Sequence, residues 1–94
     1  MEKAHVKAIL AVAGATEGKD GWVEIPDGKS ITLYAAHDGA TMQVARTVAL
    51  KLDGTLVFAR TAKGETYVLA ETDLFAGAIE GGTASTVRKA GFGA

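Results

Sequence analysis

The stretch VARTVALKLDGTLVFARTAKGETYVLA, residues 44–70, holds three runs of strand-forming residues separated by Asp53-Gly54 and Lys63-Gly64. Such doublets mark two-residue hairpin loops, because both central residues of a type I′ turn need positive φ, where Gly and Asp are tolerated. Two loops of that length set the register by counting. Leu52 falls opposite Thr55, Leu50 opposite Val57, Ala49 opposite Phe58 and Thr47 opposite Arg60; next, Phe58 falls opposite Leu69, Ala59 opposite Val68 and Arg60 opposite Tyr67. One face of this meander is then aliphatic, with Val48, Leu50, Leu52, Val57, Ala59, Val68 and Ala70, and is assigned to the core. The other carries Leu56, Phe58 and Leu69 beside Thr47, Lys51, Arg60 and Tyr67. A phenylalanine and two leucines on an outward face predict a contact surface of Leu56, Phe58, Leu69, Arg60 and Tyr67, unless a terminal segment covers them as a second face of the core.

Toward the N-terminus, Val6, Ala8, Leu10 and Val12 alternate with His5, Lys7, Ile9 and Ala11, a period of two that predicts a strand. Gly14 to Gly21 reads as a loop, and Trp22-Val23-Glu24-Ile25 as a short strand stopped by Pro26. Pro26-Asp27-Gly28-Lys29 is turn chemistry, and Ile31 to Ala36 resumes the strand pattern until His37-Asp38-Gly39 breaks it. On the C-terminal side, Glu71-Thr72-Asp73 before Leu74-Phe75-Ala76 fits a helix cap and one turn of helix. Together these predict a mainly β fold, a small antiparallel β-barrel or strongly curled sheet of about six strands with at most one or two short helical turns. The expected organisation is a single β-rich domain over residues 1–80 and a flexible Gly/Ala/Ser/Thr-rich tail over 81–94.

Composition narrows the function classes. Ninety-four residues leave room for one core, and ten basic against eleven acidic side chains give no global field to gather nucleic acid. Without cysteine there is no disulfide, thiol nucleophile or zinc knuckle. The apolar run Ala8 to Ala13 is too short to span a membrane and lacks signal-peptide flanks, so a cytoplasmic protein without a membrane partner is expected.

Chemistry is sparse. Gly14-Ala15-Thr16-Glu17-Gly18-Lys19 resembles a phosphate loop only in outline, with one residue too few between its glycines and Asp20 where a hydroxyl is required. His37 beside Asp38, with Thr41 nearby, is the one place where a small hydrolase could be built, but Asp38-Gly39 is ordinary turn chemistry. His5 and His37 are too few for a transition-metal site, and Glu71 with Asp73 is explained by a helix N-terminus. No catalytic residue, metal or cofactor is therefore expected. The expectation is a non-catalytic binding module acting through protein–protein contact or self-association. The alternative is a single-stranded nucleic-acid binder, with Lys51, Arg60 and Lys63 forming a basic strip beside Phe58 and Tyr67.

The three strands of residues 44–76, closed by Tyr67-Val68-Leu69-Ala70-Glu71-Thr72-Asp73-Leu74, resemble the meander of SH3-like, Sm-like and PRC-type small barrels. The chain is also similar to a group of small β-rich proteobacterial proteins through Trp22-Val23-Glu24-Ile25-Pro26, Leu33-Tyr34-Ala35-Ala36-His37-Asp38-Gly39 and Gly64-Glu65-Thr66-Tyr67-Val68-Leu69-Ala70. These resemblances imply a barrel and carry no activity, since small barrels bind proteins, peptides and RNA alike.

Overall fold

The computed structural model describes residues 1–81, so the tail expected over 81–94 lies, but for Gly81, outside the described residues. The elements are α1 (Lys3–Ala13), β1 (Thr16–Glu17), β2 (Trp22–Glu24), β3 (Lys29–His37), β4 (Ala40–Asp53), β5 (Leu56–Thr61), β6 (Thr66–Ala70) and β7 (Leu74–Gly81). Single 3-10 turns lie over Lys19–Gly21 and Glu71–Asp73. The fold is mainly β, an antiparallel sheet of seven strands that curls into a half-barrel. Among the described residues no helix is long and apolar enough to cross a membrane.

Strand β4 is the spine. Its first half pairs with β3, which pairs in turn with β7; its second half pairs with β5 on one side and β2 on the other. Two irregularities bend it. The register against β3 slips between Val44 and Thr47, where Arg46 sits at φ +56, and the register against β5 slips between Thr47 and Ala49. Each bulge adds an unpaired residue and sharpens the local twist, so the second half of the strand leaves at an angle to the first. Thr47, expected on the outward face, is thereby turned into the core, where its Oγ1 donates to Val44 O at 3.3 Å.

Both meander hairpins form, with registers different from those counted. In the first, Asp53 pairs with Leu56, so the loop is Gly54-Thr55; Gly54 alone has positive φ, as a II′ turn requires at its first central position. From Ala49 to the loop each partner moves by two residues, and a slip of two preserves the faces: Leu50, Val57 and Ala59 are buried as expected. In the second hairpin, Thr61 N–H donates to Glu65 O at 2.8 Å around Ala62-Lys63-Gly64, a three-residue loop with Gly64 at φ +88. That slip is one residue, and β6 is turned over. Leu69 now pairs with Val57 and is buried, while Val68, assigned to the core, stands opposite Phe58 and is 55% exposed.

The N-terminal segment is a helix, not the expected strand. Val6, Ile9, Leu10 and Ala13 are its buried residues, spaced i, i+3, i+4 and i+7, and they outweigh the alternating set, which leaves Val12 on the solvent side. Four alanines favour the helix intrinsically. Gly14, at φ +76, ends it in a Schellman arrangement: its N–H donates to Ala11 O and Ala15 N–H to Leu10 O. The first turn is tied across the sheet by Lys3, whose Nζ donates to Gly54 O at 2.7 Å and lies 3.4 Å from Glu71 Oε2. Residues 71–73 likewise form a 3-10 turn without a side-chain cap, and Leu74–Gly81 is strand β7, not a helical turn. Its Gly/Ala-rich sequence hid it.

Helix α1 seats against β3 and β7, and the seat is close: a Cβ at Gly77 would meet Ile9 Cδ1 at 2.9 Å and Cγ2 at 3.3 Å. Gly77→Ala is expected to lower stability by about 1–3 kcal/mol through overpacking. Because Ile9→Val removes the Cδ1 atom, the double variant should recover part of that loss. Thermal unfolding of the four-member cycle measures the coupling, and purely additive losses would refute the contact.

Candidate functional site

The ladder registers assemble one outward face across β2, β4, β5 and β6. Trp22, Lys51, Phe58 and Val68 form a row over four strands, flanked on one side by Asp53, Leu56 and Ala70 and on the other by Glu24, Ala49, Arg60 and Thr66. Strands lie about 4.8 Å apart, so side chains on β2 and β5 meet only by reaching over β4. Ala49 permits this. Beside it the Arg60 guanidinium stacks 4.7 Å from the Trp22 ring centre, and Ala49 itself is buried. Lys51 Nζ lies 6.0 Å from the Phe58 ring centre, so each aromatic of the row is attended by a cation. Toward β6 the row loses its charges, and Leu56 and Val68 are exposed at 40% and 55%.

Of the five contact residues expected, Leu56, Phe58 and Arg60 are on this face. Leu69 is not: it belongs to the core against Val57. Tyr67 is not either, because the one-residue slip carries it to the inner side opposite Ala59, where its hydroxyl donates to Glu65 at 3.4 Å. Lys63 stands at the β5–β6 loop, in a groove with Arg46 and Tyr67, and does not extend the Lys51–Arg60 pair into one strip. Carboxylates also crowd the Arg60 side, where Glu17, Asp20 and Glu24, with Lys19, share a groove with Trp22 and Arg60.

His37 has a carboxylate on each ring nitrogen: Nδ1 lies 2.9 Å from Asp73 Oδ1 and Nε2 lies 3.3 Å from Asp38 Oδ2. The Asp38-Gly39 doublet forms the two-residue loop joining β3 to β4, with both residues at positive φ. Pairing His37 with Ala40 puts those two side chains on one face and Ala36 with Thr41 on the other. The Thr41 hydroxyl therefore points away from the imidazole, which is itself largely in water. What the cluster does is join the β3–β4 hairpin to the 3-10 turn before β7.

Within the row, Trp22 and Val68 are the members that sequence counting did not place on this face, and Ala70, assigned to the core with Val68, is turned out with it. Trp22 needs the β2–β4 pairing, which is long-range; Val68 needed only the loop length, and the signal for a three-residue loop was Gly64 as its last member. Comparison with protein-family models, with curated proteins and with solved structures found no match for this chain.

The corrected register has a direct consequence for stability. Leu69→Ala should cost about 2–5 kcal/mol as a core truncation, whereas Val68→Ala, on the water side, should change stability by less than about 1 kcal/mol. Equal losses in urea unfolding at the two positions would contradict the turned-over β6.

Proposed function

We propose that this chain is a non-catalytic, small-barrel binding module that presents the outward face of β2, β4, β5 and β6 to a protein partner, which includes another copy of itself. The observation that carries the reading is the pair Leu56 and Val68, two exposed large aliphatic side chains on either side of Phe58 on this face. Each is about half exposed, so burying the remainder is worth about 1 kcal/mol, and the inner face already holds a full core with α1 as its lid. Rigid aromatics with an arginine beside them are what protein interfaces concentrate. The strand order β7-β3-β4-β5-β6, with a 3-10 turn leading into β7, supports the small-barrel resemblance drawn from the sequence.

The nucleic-acid reading has Lys51 and Arg60 in its favour, each beside an aromatic ring. The Trp22–Arg60 pair shares its groove with Glu17, Asp20 and Glu24 as well as Lys19, so carboxylates outnumber cations there. Repulsion of phosphates there favours a protein partner.

A photo-crosslinking amino acid placed at position 68 separates the readings in the producing cell. The expected product is a discrete protein adduct, either twice the chain mass or a second polypeptide, that disappears when Leu56→Ser and Phe58→Ser are added. Adducts to RNA overturn the protein reading in favour of the nucleic-acid one, and the absence of any discrete adduct overturns both.

A further inference from the structure

Two strand edges of the half-barrel face each other without pairing. Strand β6 pairs only with β5, and the first half of β4 only with β3. The alternation of ladder bonds identifies the backbone groups left over. Thr61 N–H donates to Glu65 O and Glu71 N–H to Thr55 O, both at 2.8 Å, so Glu65, Tyr67 and Leu69 turn their N–H and C=O toward β5, as Glu71 turns its N–H. Thr66, Val68 and Ala70 turn theirs away. On β4 the two-residue loop makes His37–Ala40 and Ala35–Met42 the bonded pairs, so Thr41 and Gln43 turn theirs away from β3.

The space between these edges is a seam. A groove of about 470 Å³ lies between Gln43, Ala45 and Arg46 on one wall and Lys63, Glu65 and Tyr67 on the other. A second, of about 140 Å³, lies between Ala40, Thr41 and Met42 on one wall and Leu69 and Asp73 on the other. Residue numbers fall along β4 as they rise along β6, so the grooves are successive lengths of one slot. Both ends are fastened: Ala62 N–H donates to Arg46 O at 2.9 Å at one end, and His37 meets Asp73 at 2.9 Å at the other.

We propose that this seam receives an extended peptide segment of a partner protein, which adds as a strand to β6 and places an acidic side chain between Arg46 and Lys63 and an apolar one against Met42 and Leu69. Strand addition satisfies the free N–H and C=O groups of Thr66, Val68 and Ala70, and alternate side chains supply the specificity. Those three residues span about 13 Å at 3.3 Å per residue, room for a segment of about five residues. The charge preference follows from the wide end. Arg46 and Lys63 form no ion pair among the described residues, and the single carboxylate beside them, Glu65, is engaged by the Tyr67 hydroxyl. At the narrow end the walls are alanines, Met42 and Leu69, and the Asp73 carboxylate is already engaged by the His37 ring. A slot pinned at both ends admits a free segment and shuts out the sheet edge of a folded second copy. The backbone of β6 and the groove side chains carry this inference, with no part played by Leu56, Phe58 or Trp22, so it stands or falls separately from the outward face.

The test is a titration of the 15N-labelled chain with two blocked peptides, Ac-Glu-Thr-Val-Thr-Val-Thr-NH2 and Ac-Thr-Val-Thr-Val-Thr-Glu-NH2, which cover both strand directions. Expected are shifts and slowed hydrogen exchange at the amides of Thr66, Val68 and Ala70, and affinity at least about tenfold weaker when lysine replaces the glutamate, a difference of about 1.4 kcal/mol. The R46E/K63E variant should reverse the preference. Should that variant fail to fold, the lysine-for-glutamate comparison on the wild-type chain still decides the matter. Unmoved β6 amides at millimolar concentrations of both peptides, or equal affinity for the glutamate and lysine forms, would overturn the proposal.

Discussion

A strand of fourteen residues cannot serve both halves of a curled sheet without breaking its ladder, and in β4 the break is confined to the four residues from Ala45 to Val48. Arg46 takes a left-handed conformation there, a cost of order 1–3 kcal/mol for a non-glycine residue. Local bonds offset it. Arg46 O accepts from Ala62 N–H, and the buried Thr47 hydroxyl finds Val44 O, so the bend is held by its neighbours and leaves no buried side-chain polar atom unpartnered within it. The same bend brings Ile31, Thr47 and Thr61 side by side in the interior, where β3, β4 and β5 meet.

The rest of the architecture follows from the angle between the two halves. The second half of β4 lies flat between β2 and β5, which is why a row of four side chains can form on its outward face and why Arg60 can reach Trp22 over a mere alanine. The first half, swung away, keeps β3 and loses contact with β6, and α1 closes the inner side against β3 and β7. An open seam and a flat outward face are therefore two results of one bend. One offers backbone hydrogen bonds and the other side chains, so they suit different kinds of partner segment.

Loop length decided which residues face water. The Asp53-Gly54 hairpin slipped by two and kept its faces; the Lys63-Gly64 hairpin slipped by one and exchanged Leu69 for Val68. A doublet in the sequence marks a turn without stating which of its residues are in the loop, since Gly54 serves as the first central residue of one loop and Gly64 as the last of another. Asp38-Gly39, read as turn chemistry but not as a hairpin loop, is the doublet that does form a loop with both residues at positive φ. The Leu56–Phe58–Arg60 part of the contact face was legible because β5 alternates whatever its partners do. Tyr67 and Leu69 were misplaced because β6 takes its facing entirely from the loop before it.

By itself the sequence determined the fold class, one core, the strand-turn-strand rhythm from Lys29 to Ala70 and the absence of cysteine chemistry, since these depend on residue type and on periods of a few positions. It left open whether residues 3–13 alternate as a strand or wind as a helix, because Val6 and Leu10 satisfy both patterns. Only the tertiary structure decided that, by offering Gly77 as a seat for Ile9 on β7, a strand too rich in glycine and alanine to announce itself. The seam is likewise tertiary. Its walls, Thr41 and Gln43 against Thr66, Val68 and Ala70, lie some 25 residues apart in the chain and face each other only because β4 bends.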